Sequence, residues 1–123
     1  MQKILIVDDE QEIRELVKKK LEKNGYEVMD TADGQEALSF CKNAHPEVVL
    51  LDIALPGMDG YQIAEKIKQD PESRNINILF LTGKDLDPAG IIKRCDKVNA
   101  YGCISKPFVF EDLLAKIKEI LGK

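Results

Sequence analysis

The chain has 123 residues, one domain's worth of polypeptide, and its 44% hydrophobic content is enough for a single buried core. Against 22 acidic residues stand 18 Lys and Arg, a formal net charge of -4 that excludes a basic nucleic-acid footprint, so direct nucleic-acid binding is not expected. No apolar run approaches the roughly 18 residues of a membrane span, and Ile4 to Val7 is too short for a signal-peptide core, so the expectation is a cytoplasmic protein without membrane insertion.

Ile4-Leu5-Ile6-Val7 is a continuous apolar run, the pattern of a strand buried on both faces of a parallel sheet. Ile13, Leu16, Val17 and Leu21 follow as an apolar stripe at helical spacing, stopped by Asn24-Gly25. A weaker strand pattern lies around Tyr26 to Thr31, then Ala37, Leu38 and Cys41 mark a second helix that ends before Pro46. Val48-Val49-Leu50-Leu51 reads as a third strand, and Ile63, Ala64 and Ile67 as a third helix. After the longest polar connection, from about Gln69 to Asn77, Ile78-Leu79-Phe80-Leu81 reads as a fourth strand. A fourth helix carries Ile91, Ile92, Cys95 and Val98, a weak fifth strand lies around Tyr101 to Ser105, and Leu113, Leu114, Ile117 and Leu121 form the last helical stripe.

Five repeats of strand then helix call for right-handed crossovers and a sheet covered on both sides. The expected fold is therefore α/β, a doubly wound five-stranded parallel sheet with five helices. No Pro/Gly/Ser-rich linker divides it, so residues 1–123 read as one domain. Met1 at the threshold of the first strand favours a natural start, whereas the end at Lys123 suits a solitary protein or a piece of a longer regulator equally. Cys41, Cys95 and Cys103 include no CxxC pair and have one histidine, His45, for company, so neither a disulfide framework nor a zinc site is expected. All three are expected to be buried small hydrophobes.

Ligands of an open parallel α/β sheet bind outside the carboxyl ends of its strands. The first strand ends there in Asp8-Asp9, the third in Asp52, the fourth in Thr82-Gly83 and the fifth in Ser105-Lys106-Pro107. Three crowded carboxylates repel one another unless a cation sits among them, and an all-oxygen site with room for waters suits Mg²⁺. A lysine and a hydroxyl beside such a site supply the charge and hydrogen bond that a transferring phosphoryl group needs, which points to phosphoryl chemistry on a carboxylate. Each piece alone has a plainer reading: Asp8 or Asp9 as a cap for the helix starting near Glu10, Asp52 as a turn former before Pro56-Gly57, and Thr82-Gly83 as a common strand exit. Their joint occurrence at four strand ends in order favours the site.

With these residues in view, the sequence resembles a response-regulator receiver domain, the two-component signalling module whose best known solitary members act in chemotaxis. The resemblance runs through Ile4 to Glu10, Leu50 to Gly60 with its Pro-Gly-Met-Asp-Gly turn, Phe80 to Gly83 and Ile104 to Phe108. It implies the flavodoxin-like receiver fold, with Asp52 accepting a phosphoryl group from a sensor histidine kinase or a histidine phosphotransfer protein. It further implies Mg²⁺ held by Asp9, Asp52 and the backbone carbonyl of Ala54, with Asp8 acting through a water, and phosphoryl oxygens held by Thr82 and Lys106. A cis Lys106-Pro107 bond and a switching surface on the fourth helix, fifth strand and fifth helix, read by an unidentified downstream protein, are also implied.

Several positions depart from the family pattern. Cys103 stands three residues before the lysine, where Tyr or Phe is usual, and Tyr101 lies on the same face if the strand is regular, a possible substitute. Gly83 replaces a common alanine, and the loop through Asp85, Asp87 and Pro88 is longer than in chemotaxis-type members, so the helix after it is expected to start late or to move. The resemblance also implies that Ala54 and Lys84, two residues beyond Asp52 and Thr82, flank the path of the water that hydrolyses the phosphorylated state. His45 reads as a surface loop residue, and Lys18-Lys19-Lys20 as a solvated face with kinase docking as its functional alternative. Two rival functions are an aspartyl-phosphate phosphohydrolase, which needs an acid-base carboxylate where Ala54 stands, and a phosphorylation-independent interaction module, against which the acidic pair, Thr82 and Lys106 argue.

Overall fold

The computed structural model describes residues 1–83 and 88–122, with the side chains at positions 88, 89, 91, 92 and 94 outside that description. The expectations for Lys84, Asp85 and Asp87 therefore lie outside the described residues. Strands and helices alternate as β1 (Lys3–Val7), α1 (Gln11–Lys23), β2 (Glu27–Thr31), α2 (Gly34–Asn43), β3 (Val48–Asp52), α3 (Gly60–Gln69), β4 (Asn77–Thr82), α4 (Pro88–Lys97), β5 (Gly102–Ser105) and α5 (Phe110–Ile120). All strands are parallel, in the order β2-β1-β3-β4-β5.

The three central strands bury every residue of their apolar runs, because helices cover both sides of the sheet. Leu5, Val7, Val49, Leu51, Ile78 and Phe80 pack against Ala37 and Cys41 of α2, Ile63, Ala64 and Ile67 of α3, and Cys95 of α4. Ile4, Ile6, Val48, Leu50, Leu79 and Leu81, the alternate residues of the same strands, pack against Val17 and Leu21 of α1 and Leu113 and Ile117 of α5. The chain leaves β1 in one direction for β2 and returns past it to β3, so the switch in strand order falls between β1 and β3. That is where the crevice of such a sheet opens.

Some details of the side-chain pattern differ from expectation. Leu16 is 55% exposed, since the buried stripe of α1 runs through Val17 and Leu21 with Ile13 partly covered, and Leu16 falls beside it. Cys41 and Cys95 are buried, but Cys103 is only half-buried because β5 is an edge strand. His45 is an exposed turn residue with φ +50°, as a loop position would have it. Within the Lys18-Lys19-Lys20 run, Lys19 is exposed, but Lys18 pairs with Asp30 at 3.3 Å and Lys20 lies over the Phe110 ring at 5.3 Å.

Candidate functional site

The site is assembled at the carboxyl ends of the strands. Val7 and Leu51 are paired neighbours in β1 and β3, and each strand's next residue is an aspartate, so Asp8 and Asp52 emerge side by side at the β1–β3 boundary. Thr82 and Ser105 are paired at the ends of β4 and β5, and Lys106 follows directly. The Lys106-Pro107 bond is cis.

Asp8, Asp52 and Thr82 are buried, while Asp9 and Glu10 are exposed on the turn into α1. Neither aspartate caps that helix; its first position is preceded by Glu10, without a side-chain cap. Asp8 Oδ1 accepts from the Glu10 N–H at 2.9 Å. Its other oxygen, Oδ2, lies 2.6 Å from Lys106 Nζ but receives no hydrogen bond, so the contact is an ion pair without a well-directed donor. The same ammonium reaches Glu10 at 3.1 Å and Asp52 Oδ2 at 3.3 Å. Asp52 Oδ1 accepts from the Ala54 N–H at 3.1 Å. Lys106 is thus the counter-charge that three carboxylates share.

Burial pushes the Asp52 carboxyl above its ordinary range, and the charge of Asp8 adds to this, while the Ala54 N–H and Lys106 oppose it. Burial disfavours the Lys106 ammonium, yet Asp8, Asp52 and Glu10 together hold its pKa above the usual lysine value. Thr82 Oγ1 is held loosely, 3.5 Å from the Ile104 carbonyl and 3.5 Å from Ser105 Oγ, and these marginal contacts leave the hydroxyl able to turn.

Among the described residues, ligand atoms of Asp8, Asp9 and Glu10 lie within 4.8 Å of one another. An all-oxygen set whose buried carboxylate oxygen, Asp8 Oδ2, meets only the Lys106 ammonium fits a hard divalent cation such as Mg²⁺. Asp52 is not part of that close trio, and Lys106 Nζ stands between it and Asp8. Glu10 escaped the sequence analysis as a site residue, because only the path of the Lys106 side chain brings it in. Gly60 escaped it too. A Cβ there would sit 2.5 Å from the Asp52 carbonyl oxygen and 2.8 Å from Ile53 Cα, so the start of α3 touches the backbone of Asp52 itself.

The response regulator receiver domain model matches residues 4–118. The chain belongs to this family. Receiver domains are phosphoacceptor modules of two-component systems, signalling switches rather than classical enzymes, and bind Mg²⁺ in their active site. The chain is 37% identical over 120 residues to the phosphate regulon transcriptional regulatory protein PhoB of Pseudomonas aeruginosa, covering 98% of this chain and 52% of that protein. It thus spans about half the length of the curated relatives it matches. A CheY-like receiver domain protein from Methanospirillum hungatei is similar in structure, with a TM-score of 0.91, 34% identity and coverage of 99% of this chain and 94% of that one. The receiver domain of the sensor histidine kinase PA1611 from P. aeruginosa has a TM-score of 0.87 at 27% identity, covering 99% and 98%, and carries a magnesium ion in its active site cleft.

In this receiver domain β5 begins at Gly102, and Tyr101 stands just before it with its N–H donating to the Ile78 carbonyl of β4 at 2.8 Å. Cys103 packs towards the α4 side, whereas Tyr101 is 45% exposed and its hydroxyl meets Glu119 of α5, a contact that raises its pKa. Among the described residues no helix is long and apolar enough to cross a membrane.

Proposed function

We propose that residues 1–123 act as one receiver domain in which Asp52 takes a phosphoryl group from the phosphohistidine of a sensor histidine kinase or a histidine phosphotransfer protein. The observation that carries this reading is the shared Lys106 ammonium, 2.6 Å from Asp8 and 3.3 Å from the buried Asp52 carboxylate. A carboxylate oxygen of Asp52 attacks phosphorus, the P–N bond to the donor imidazole breaks, and an acyl phosphate forms. Lys106 then turns its ammonium from Asp52 to a phosphoryl oxygen, and the loosely held Thr82 hydroxyl rotates to donate to another. The turn residues Asp8 and Asp9, with Asp52 and the Ala54 carbonyl as the family resemblance implies, would hold Mg²⁺, which would neutralise charge on the phosphoryl oxygens. These movements on β4 and β5 reach the surface formed by α4, β5 and α5, where Tyr101 is exposed and Cys103 half-covered, and a downstream protein reads the change. The domain works in the cytoplasm, without nucleic-acid contact of its own, and its only chemistry is phosphoryl uptake and self-catalysed loss.

Incubation with acetyl phosphate and Mg²⁺ followed by intact-mass spectrometry tests this. Wild type should gain one phosphoryl group and Asp52→Asn none, since an amide cannot form the acyl phosphate. Equal labelling of the two removes Asp52 from the chemistry.

A further inference from the structure

Arg14, on the first turns of α1, is used by nothing described so far. Its Nη1 donates to the backbone carbonyl of Asp8 at 2.8 Å, and its Nε donates to Asp30 Oδ2 at 3.1 Å. Asp30 sits in β2 and is also paired with Lys18, so the far end of the contact is fixed to a strand by its backbone and to α1 by two cations. The Asp8 backbone is held on its other side as well, the N–H of the preceding peptide unit donating to the Thr31 carbonyl at 3.1 Å. With only 16% of its side chain exposed, Arg14 is ordered by these contacts rather than solvated.

We propose that the Arg14–Asp30 pair is a positioning clamp for the cation-binding turn, holding the Asp8 peptide so that the carboxylates of Asp8, Asp9 and Glu10 converge. This rests on the reading of that turn as a Mg²⁺ site. The planar guanidinium suits the task because it directs two hydrogen bonds at a fixed angle to two acceptors, which an ammonium cannot do. It reaches none of the three carboxylates of the turn and acts through the Asp8 backbone carbonyl.

The sign of its effect separates positioning from plain electrostatics. A positive charge near three carboxylates weakens cation binding, so removing Arg14 for its charge alone would tighten Mg²⁺. Loss of a positioning contact behind metal ligands typically weakens binding by about 10- to 100-fold. Arg14→Gln should therefore raise the Mg²⁺ dissociation constant about tenfold in a calorimetric titration of the full chain, and Arg14→Lys should recover little of the loss. Asp30→Asn frees only the far end of the clamp and, because it also removes a negative charge, is read through hydrogen exchange rather than through Mg²⁺ affinity. Faster exchange at Asp8 and Glu10 is expected there too, and it serves if Arg14→Gln does not fold. Amide hydrogen exchange without metal provides an independent readout: in Arg14→Gln the amides of Asp8 and Glu10 should exchange faster, while those of Ile4 to Ile6 keep their wild-type rates. Unchanged or tighter Mg²⁺ binding with unchanged exchange in the turn overturns the clamp. Wild-type protein that binds no Mg²⁺ overturns the reading of the turn as a metal site, and the exchange comparison still decides the clamp.

Discussion

Asp52 pays for its availability in folding energy. Burial holds its carboxyl above the ordinary value of 3.8, so this acid favours the folded state while protonated, and that contribution is present in full below pH 3.8 and lost as pH rises through the raised pKa. At neutral pH the ionised group therefore works against folding. Asp52→Asn should raise Tm by roughly a few degrees at pH 7, with the gain shrinking towards pH 4; differential scanning calorimetry at both pH values checks this, and a constant gain would mean that ionisation is not the cause. Lys106 has the opposite role. Removing the ammonium in Lys106→Met leaves Asp8, Glu10 and Asp52 without their shared counter-charge, at a cost of about 3 kcal/mol, the low end for breaking a buried ion pair because Glu10 is exposed. Denaturant melts should show this loss without metal, and millimolar Mg²⁺ should restore more stability to the variant than to wild type, since the cation then has no ammonium to displace.

The helices and strands show which parts of such a site a sequence exposes. β1, β3 and β4 were legible because burial on both faces demands unbroken apolar runs, and Asp8, Asp52 and Thr82 were legible because they end or directly follow those runs. The edge strands were less so: β2 starts at Glu27 and β5 at Gly102, each one residue inside its expected limit, because exposure on the outer edge weakens the apolar signal there. Glu10 meets Lys106 from the far end of the chain, while Arg14 and Gly60 turn back on the strand just before them, and no local periodicity responds to either kind of approach. Gly60 is the sharpest case, since the start of α3 is fixed by the Asp59–Gln62 capping box while its Gly60 N–H donates to the Ile53 carbonyl at 2.7 Å. Gly60→Ala drives a methyl into backbone that cannot swing aside, so we expect a loss of about 1–3 kcal/mol and slower phosphorylation by acetyl phosphate as Asp52 shifts. Gly83, whose added Cβ would meet nothing within 4 Å, provides the control: in urea titrations of both variants, Gly83→Ala should leave stability unchanged to within about 0.5 kcal/mol.

On the scale of the whole molecule, one sheet separates two cores that draw on alternate residues of the same strands, so neither core can open without exposing strands that the other needs. Cys41 reports on this arrangement. Burial pushes its thiol to about 12 from an ordinary 9.0, which means that the folded chain keeps the proton long after an unfolded chain would release it. An acid whose pKa is raised on folding stabilises the native state fully below its unfolded value and loses that contribution as pH rises to the folded one, here from about pH 9 to about 12. Over that interval each such thiol lowers stability by about 1.4 kcal/mol per pH unit. Cys95, raised to about 11 chiefly by burial, adds to the same slope over a narrower range. Urea titrations at intervals from pH 8 to 10.5 should show wild type losing stability faster than Cys41→Ala, which starts lower because it leaves a cavity but has no thiol to ionise there. The two curves should approach each other as pH rises. Parallel curves would mean that the Cys41 thiol ionises as readily in the folded chain as in the unfolded one, and that water reaches the α2 side of the sheet without opening the whole.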